Sequence, residues 1–258
     1  MAHLFFVGTG SGKTSLSRYH SSIIISTSNY NLLIDAGDGI SKAFLQHNID
    51  FNSIDGILLT HLHPDHYTGL ASLIVQMKMY GRKNDLNIFV SSELENVIRN
   101  FITTSYLFPD RLGFRINYHP FDNDVQFKIL SEIKILPRQN SHLALVSESK
   151  KGSNLSFSCH SFLMNVNNKN ILYTSDIGSE KDIHLFDDYD PDYFISEITH
   201  VQPEDLIKKT AEFKNSLQII LTHYSDEDIT ITKKFIGSLS EDIKSMVKLA
   251  FDGLKVDL

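Results

Sequence analysis

The sequence predicts an α/β (α+β) fold built on two β-sheets with helices packed outside them. Three observations lead there. Short segments rich in β-branched and aromatic residues outnumber helical ones. Only a few stretches carry apolar residues at helical spacing. Strands come in runs early and then mix with helices, unlike the strict alternation of a parallel fold.

Taken in order, the strand-like segments are Leu4 to Val7, Ser22 to Thr27, Asn31 to Asp35, Gly56 to Thr60 and Leu86 to Val90. They continue with Ile133 to Leu136, Ser161 to Val166, Asn170 to Thr174, Tyr193 to Ser196, Gln218 to Thr222 and Val247 to Phe251. Helical spacing marks Tyr67 to Tyr80, through Leu70, Leu73, Ile74 and Met77, and also Leu94 to Thr104 and Pro203 to Lys214. Pro203 suits a first helical turn, and Glu204 and Asp205 complement the positive end of a helix. No repeat and no Pro/Gly-rich linker divides the chain, so residues 1–258 are expected to form one domain.

Composition narrows the function. The hydrophobic fraction of 41% over 258 residues supports a core without disulfides. One cysteine excludes both an internal disulfide and a Cys-based zinc cage. A net charge of −7 argues against holding nucleic acid through a global field. No apolar run is long enough to span a membrane. The N-terminal residues lack the basic start and apolar stretch of a signal peptide, so the cytoplasm is expected. Twelve histidines are more than ordinary usage supplies.

The stretch Gly8-Thr9-Gly10-Ser11-Gly12-Lys13-Thr14 imitates a phosphate loop, but Val7 stands where a P-loop needs its first glycine. It reads as a glycine-rich turn whose backbone N–H groups could face a phosphate near an active site. The histidines are more informative. Gly56 to Thr60 runs directly into His61-Leu62-His63-Pro64-Asp65-His66 and then a helix. Four metal-competent side chains within six positions, at a strand-to-helix turn, can converge on one point. Imidazole and carboxylate without thiolate suit zinc, and also manganese or iron.

The H-x-H-x-D-H pattern of His61, His63, Asp65 and His66 resembles the signature of the metallo-β-lactamase fold. Other landmarks follow in that family's order: Asp35 after an early strand, Asp176 after Ile171 to Ser175, and His223 after Ile219 to Thr222. A lone histidine is expected between the signature and Asp176. His142 stands where the family puts it; His160 stays open as the alternative. The resemblance implies a four-layer αββα sandwich and two metal ions, zinc with manganese or iron as substitutes. One metal would take His61, His63 and His142, the second Asp65, His66 and His223, with Asp176 bridging.

Within that fold, Phe5 to Gly12 and Leu58 to His61 resemble the tRNase Z group. Ile195-Ser196-Glu197-Ile198-Thr199 is similar to its H-E-A-T motif, with Ser196 in place of the histidine. His200 lies 23 positions before His223, close to the spacing of the group's proton donor. Asp65, Glu197 and His200 are therefore the residues expected to carry catalysis, with Glu197 orienting His200. The long members of the group insert a basic, tRNA-clamping arm between the third and fourth landmarks. Here only 34 positions separate His142 from Asp176, and the segment holds few lysines. That departure and the acidic charge favour a small phosphodiester, a cyclic nucleotide, over RNA. A tRNA 3′-processing endonuclease stays open as the alternative. Hydrolysis of lactones, thioesters or β-lactams and a metal-free binding module rank below both. The resemblance also implies a homodimer. His3, His20, His47, His119, His184 and Cys159 stand outside the pattern and are expected to be structural.

Overall fold

The structure, a computed structural model, describes residues 2–210 and 217–258. They sort into two compact units, one of Met1–Asp122 with Phe251–Leu258 and one of Asn123–Ala250.

The first unit is built on a seven-stranded sheet. Its strands are β1 (His3–Gly8), β2 (Ser22–Ser26), β3 (Asn31–Ile34), β4 (Gly56–Leu58), β5 (Leu86–Ser91) and β6 (Ile116–Phe121). The seventh is the last strand of the chain, β14 (Lys255–Asp257), and the order is β14-β1-β2-β3-β4-β5-β6. Pairings from β14 to β3 are antiparallel, and those from β3 to β6 are parallel. Helices α1 (Ile40–Gln46), α2 (Pro64–Tyr67), α3 (Leu70–Met79), α4 (Glu95–Thr104) and α5 (Pro109–Leu112) complete it. Leu33, Ile57 and Ile88 from the parallel strands share a core with Phe44 of α1, Leu73, Ile74 and Met77 of α3, and Ile98 of α4. Near-continuous apolar runs are what parallel strands covered by helices require.

The second unit repeats the scheme. Its strands are β7 (Phe127–Leu130), β8 (Ile133–Gln139), β9 (His160–Val166), β10 (Lys169–Tyr173), β11 (Tyr193–Glu197), β12 (Gln218–Thr222) and β13 (Val247–Leu249). They lie in chain order, antiparallel from β7 to β10 and parallel from β10 to β13. Helices α6 (Ala144–Ser149), α7 (Pro203–Thr210), α8 (Asp228–Ser238) and α9 (Glu241–Met246) accompany them. Phe194, Ile219 and Leu221 pack with Leu206 and Ile207 of α7.

Several elements differ from those expected. The helix expected over Tyr67 to Tyr80 is interrupted at Thr68 and Gly69, because Gly69 N bonds Ala36 O at 2.9 Å. A side chain at Gly69 would overlap Gly37 O, so only glycine permits this approach. The strand expected over Gly56 to Thr60 ends at Leu58, since Thr60 N turns to Asp35 Oδ1 at 2.9 Å. The strand expected from Val247 to Phe251 ends at Leu249. The helix expected to reach Lys214 is seen through Thr210; residues 211–216 lie outside the described residues. Strands β6, β7 and β14 and helices α1, α5, α6, α8 and α9 were not expected. Among the described residues, no helix is long and apolar enough to cross a membrane.

Candidate metal centre

The site residues sit where strands end. In the first unit, β3 gives way to Asp35, a non-glycine residue in the left-handed region with φ of 60°. Its carboxylate is fully buried and accepts from Thr60 N and Thr60 Oγ1, both at 2.9 Å, and from His66 Nδ1 at 2.7 Å. Burial pushes the Asp35 carboxyl above its usual range, and the bonds from His66 and Thr60 oppose that rise. A carboxylate at Nδ1 assigns the His66 proton there and leaves Nε2 as the lone-pair nitrogen. The relay extends one step further. Thr60 Oγ1 gives its proton to Asp35 and lies 3.0 Å from His61 Nδ1, so His61 also presents Nε2 as a base.

The turn that follows compresses the signature. His63 caps α2, Pro64 occupies the first helical position, and His66 N returns to His63 O at 2.9 Å. The His61 ring stands 4.8 Å from that of His63 and 4.1 Å from that of His66. Asp65 Oδ2 lies 3.6 Å from His66 Nε2. The glycine-rich turn closes on the same residue: a Cβ at Gly12 would stand 3.3 Å from Asp65 Oδ2. His20 Nδ1 lies 2.8 Å from Ser11 O and holds that turn.

In the second unit, the loop after β8 carries His142 and the loop after β10 carries Asp176. His142 Nε2 faces Asp176 Oδ2 at 3.7 Å, and His223 Nε2 faces Asp176 Oδ1 at 3.3 Å. One carboxylate thus offers a separate oxygen to each imidazole. Ser175 and His223 have φ of 55° and 51°, left-handed turns that swing the chain at the ends of parallel strands. Thr199 Oγ1 donates to His223 O at 2.6 Å and holds that conformation. Glu197, 1% exposed, accepts from Ile177 N at 3.1 Å and His200 Nδ1 at 2.9 Å on Oε1, and from Thr199 N and His200 N on Oε2. The His200 ring lies 4.8 Å from the His142 ring.

Among the described residues, the side chains able to hold a metal fall into two groups. The first unit supplies His61, His63, Asp65 and His66; the second supplies His142, Asp176 and His223. Two His/Asp groups are consistent with a dinuclear site. Five imidazoles and two carboxylates form a donor set of neutral nitrogen and anionic oxygen that fits divalent ions such as zinc or manganese. His160 falls in neither group. It is buried at the start of β9 with Nδ1 3.3 Å from Ser158 Oγ.

Against families of known proteins, residues 2–239 match the model of the anti-Pycsar protein Apyc1. The chain belongs to the Apyc1 family. This family member is also similar to ribonuclease Z of Methanococcus aeolicus, at 30% identity over 133 residues. That match covers 52% of this chain and 40% of the relative, so the chain spans well under half the length of the curated relatives it matches. Two solved structures share the fold. YhfI of Bacillus subtilis, a metallo-β-lactamase fold protein, superposes with a TM-score of 0.74 at 16% identity, covering 99% of this chain and 98% of its own. The short form of human tRNase Z gives a TM-score of 0.71 at 17% identity, over 99% and 98%. The chain therefore has the metallo-β-lactamase fold, as the signature implied.

Sequence reasoning overlooked some residues of this Apyc1-family site. Asn140 and Asp182 bond the loops of His142 and Asp176, and Thr60 passes a hydrogen bond between Asp35 and His61. The one local signal was the Ser179-x-x-Asp182 spacing, which forms a capping box. The histidines set aside hold local positions: His119 Nε2 lies 3.0 Å from Asn87 Oδ1, and His184 Nδ1 3.0 Å from Asp187 Oδ2.

Proposed function

We propose that this chain hydrolyses a cyclic nucleotide with a pair of metal ions, zinc being the ion its donors suit best. The observation that carries the reading is the Apyc1-family match, which runs through every residue of both His/Asp groups. In this reading His61, His63 and His142 would hold one ion, Asp65, His66 and His223 the other, with Asp176 offered to both. When bound, such ions would supply an acidified water as nucleophile and would offset charge on phosphoryl oxygens.

The chain's own residues supply the rest. Asp65 and Asp176 offset part of the dications' charge. Glu197 accepts a hydrogen bond from His200 Nδ1–H, which leaves His200 Nε2 to exchange a proton with the substrate. His200 stands next to His142 and its side chain is 38% exposed, so it can reach a leaving oxygen and protonate it. The buried Glu197 carboxylate pairs with the imidazolium that donates this proton and keeps the neutral imidazole oriented afterwards. We hold the 258 residues to be one working domain, supported by a family match that runs through both units. A nucleotide substrate implies the cytoplasm as the place of work.

Precursor tRNA is the second reading, favoured by the ribonuclease Z relatives. The net charge of −7 and the short segment between His142 and Asp176 speak against it. The test is direct. Purified metal-loaded protein is incubated with cyclic mononucleotides and, separately, with precursor tRNA. Ring opening to a linear monophosphate with little tRNA cleavage is expected. Rapid tRNA cleavage with intact cyclic nucleotides would overturn the reading.

A further inference from the structure

We propose that Asp182 and Asn140 are positioning residues that lock the loop carrying His142 to the loop carrying Asp176, and so set the spacing of these two ligands before any metal binds. The inference rests on the reading above, in which both are ligands.

Asp182 sits in a single 3-10 turn, Glu180–His184, and is 7% exposed. A buried carboxylate is costly unless donors fill its lone pairs. Part of the set is local: Gly178 N at 2.8 Å and Ser179 N at 3.3 Å, both on Oδ2. A helix cap needs no more than these. The remaining donors come from a position 41 residues earlier. Ser141 N lies 3.1 Å from Oδ1 and 3.2 Å from Oδ2, and Ser141 Oγ donates to Oδ2 at 2.7 Å. Ser141 adjoins His142, and Gly178 is two residues beyond Asp176. One carboxylate therefore fastens both ligand loops.

Asn140 repeats the link with a neutral group. Its Oδ1 accepts from His142 N at 3.1 Å, and its Nδ2 donates to Asp176 O at 2.9 Å. The backbones of the two ligands are thus joined through one side-chain amide. Gly178 marks how close the loops come: a Cβ there would overlap Ser141 O, C and Oγ. With the loops fixed from both sides, His142 Nε2 and Asp176 Oδ2 are held 3.7 Å apart. Asp35 has the corresponding task in the first unit, through Thr60 and His66.

Residues that orient ligands cost roughly 10–100-fold in metal affinity when removed. The experiment titrates metal-stripped protein with Zn²⁺ against a chromophoric chelator. It also records the melting temperature with and without Zn²⁺ and the visible spectrum of the Co²⁺-loaded form. Wild type is compared with Asp182→Ala, the milder Asp182→Asn, Gly178→Ala and His142→Ala. Asp182→Ala and Gly178→Ala are expected to weaken Zn²⁺ binding roughly 10–100-fold. They should also shrink the metal-dependent rise in melting temperature and alter the Co²⁺ spectrum. Asp182→Asn, which keeps one acceptor oxygen, should fall between them and wild type. If Asp182→Ala does not fold, Asp182→Asn and Gly178→Ala decide. Equal drops in both melting temperatures with unchanged affinity and spectrum would overturn the inference, leaving these groups merely structural. His142→Ala separates the two readings. Should it keep both metal equivalents at wild-type affinity, the ligand assignment itself fails. Should it lose metal while Asp182→Ala and Gly178→Ala do not, the positioning inference alone fails.

Discussion

Glu197 fixes the chemistry of His200 by choosing which ring nitrogen holds a proton. The carboxylate takes three backbone N–H donors besides the imidazole, so it is held in one orientation. Replacing His200 with Ala is expected to slow hydrolysis of a poor leaving group by about 10²–10³-fold. Turnover of an activated aryl phosphodiester, which needs no proton, should change far less. Steady-state kinetics on the two substrates check this, and equal losses on both would remove His200 from the proton-donor role. At this scale the sequence was readable where function is compact. His61 to His66 put four donors, three of them imidazoles, in six positions, and no other six-residue stretch of the chain holds three histidines. Asn140 and Asp182 were not readable. Both are ordinary loop residues by type, and their decisive partners lie 36 and 41 positions away, where only folding brings them.

Strand ends do the placing. Asp35, Ser175 and His223 all leave a parallel strand with positive φ, which turns the chain sharply without glycine. The buried strands of both sheets were legible because their apolar runs are continuous. The three that were missed, β6, β7 and β14, are all edge strands. β6 carries Asn117, His119 and Pro120 and buries only Phe121, in keeping with an edge that resists further pairing. Short polar edge strands have neither the alternation nor the apolar run that marks a strand. Tyr30 shows how the interior strands are cross-tied. It precedes β3, and its hydroxyl accepts from Asn87 Nδ2 of β5 at 3.2 Å. Burial raises its phenol to about 12, an effect the Asn87 bond opposes and Asp55 reinforces. The folded state thus holds this proton more tightly than the unfolded chain. Its contribution is complete below pH 10 and is lost as pH rises through about 12. Urea midpoints should fall across that window in wild type and fall less in Tyr30→Phe. Parallel pH profiles for the two proteins would contradict the assignment.

Each sheet runs through three antiparallel pairings and then three parallel ones, although the sequence shows no repeat. Pairing order needs only the right apolar pattern at each strand, so the same scheme can recur with different residues. That is why two sheets could be expected from segment order while the matching of their topologies could not. Large apolar side chains remain open at Leu16, Leu145, Leu155 and Phe251. Such exposure fits contact with another copy of the chain, and the dimer proposed from the resemblance is expected to sediment at twice the 29.3 kDa chain mass. A species of 29.3 kDa at micromolar concentration would rule that dimer out. The first unit has a further property: it is interrupted in sequence. β14 pairs with β1, Asp252 accepts from Thr9 and Tyr19, and the whole second unit intervenes. On the ribosome, the residues carrying His61, His63 and His66 emerge early, yet their sheet lacks a border strand until residue 257 has been made. At about 5–20 residues per second, translating residues 123–250 delays that closure by roughly 6–26 s. During that interval the outer edge of β1 is an open template, and the second unit can finish folding first. The unit begun first is thus the one whose last strand is made last.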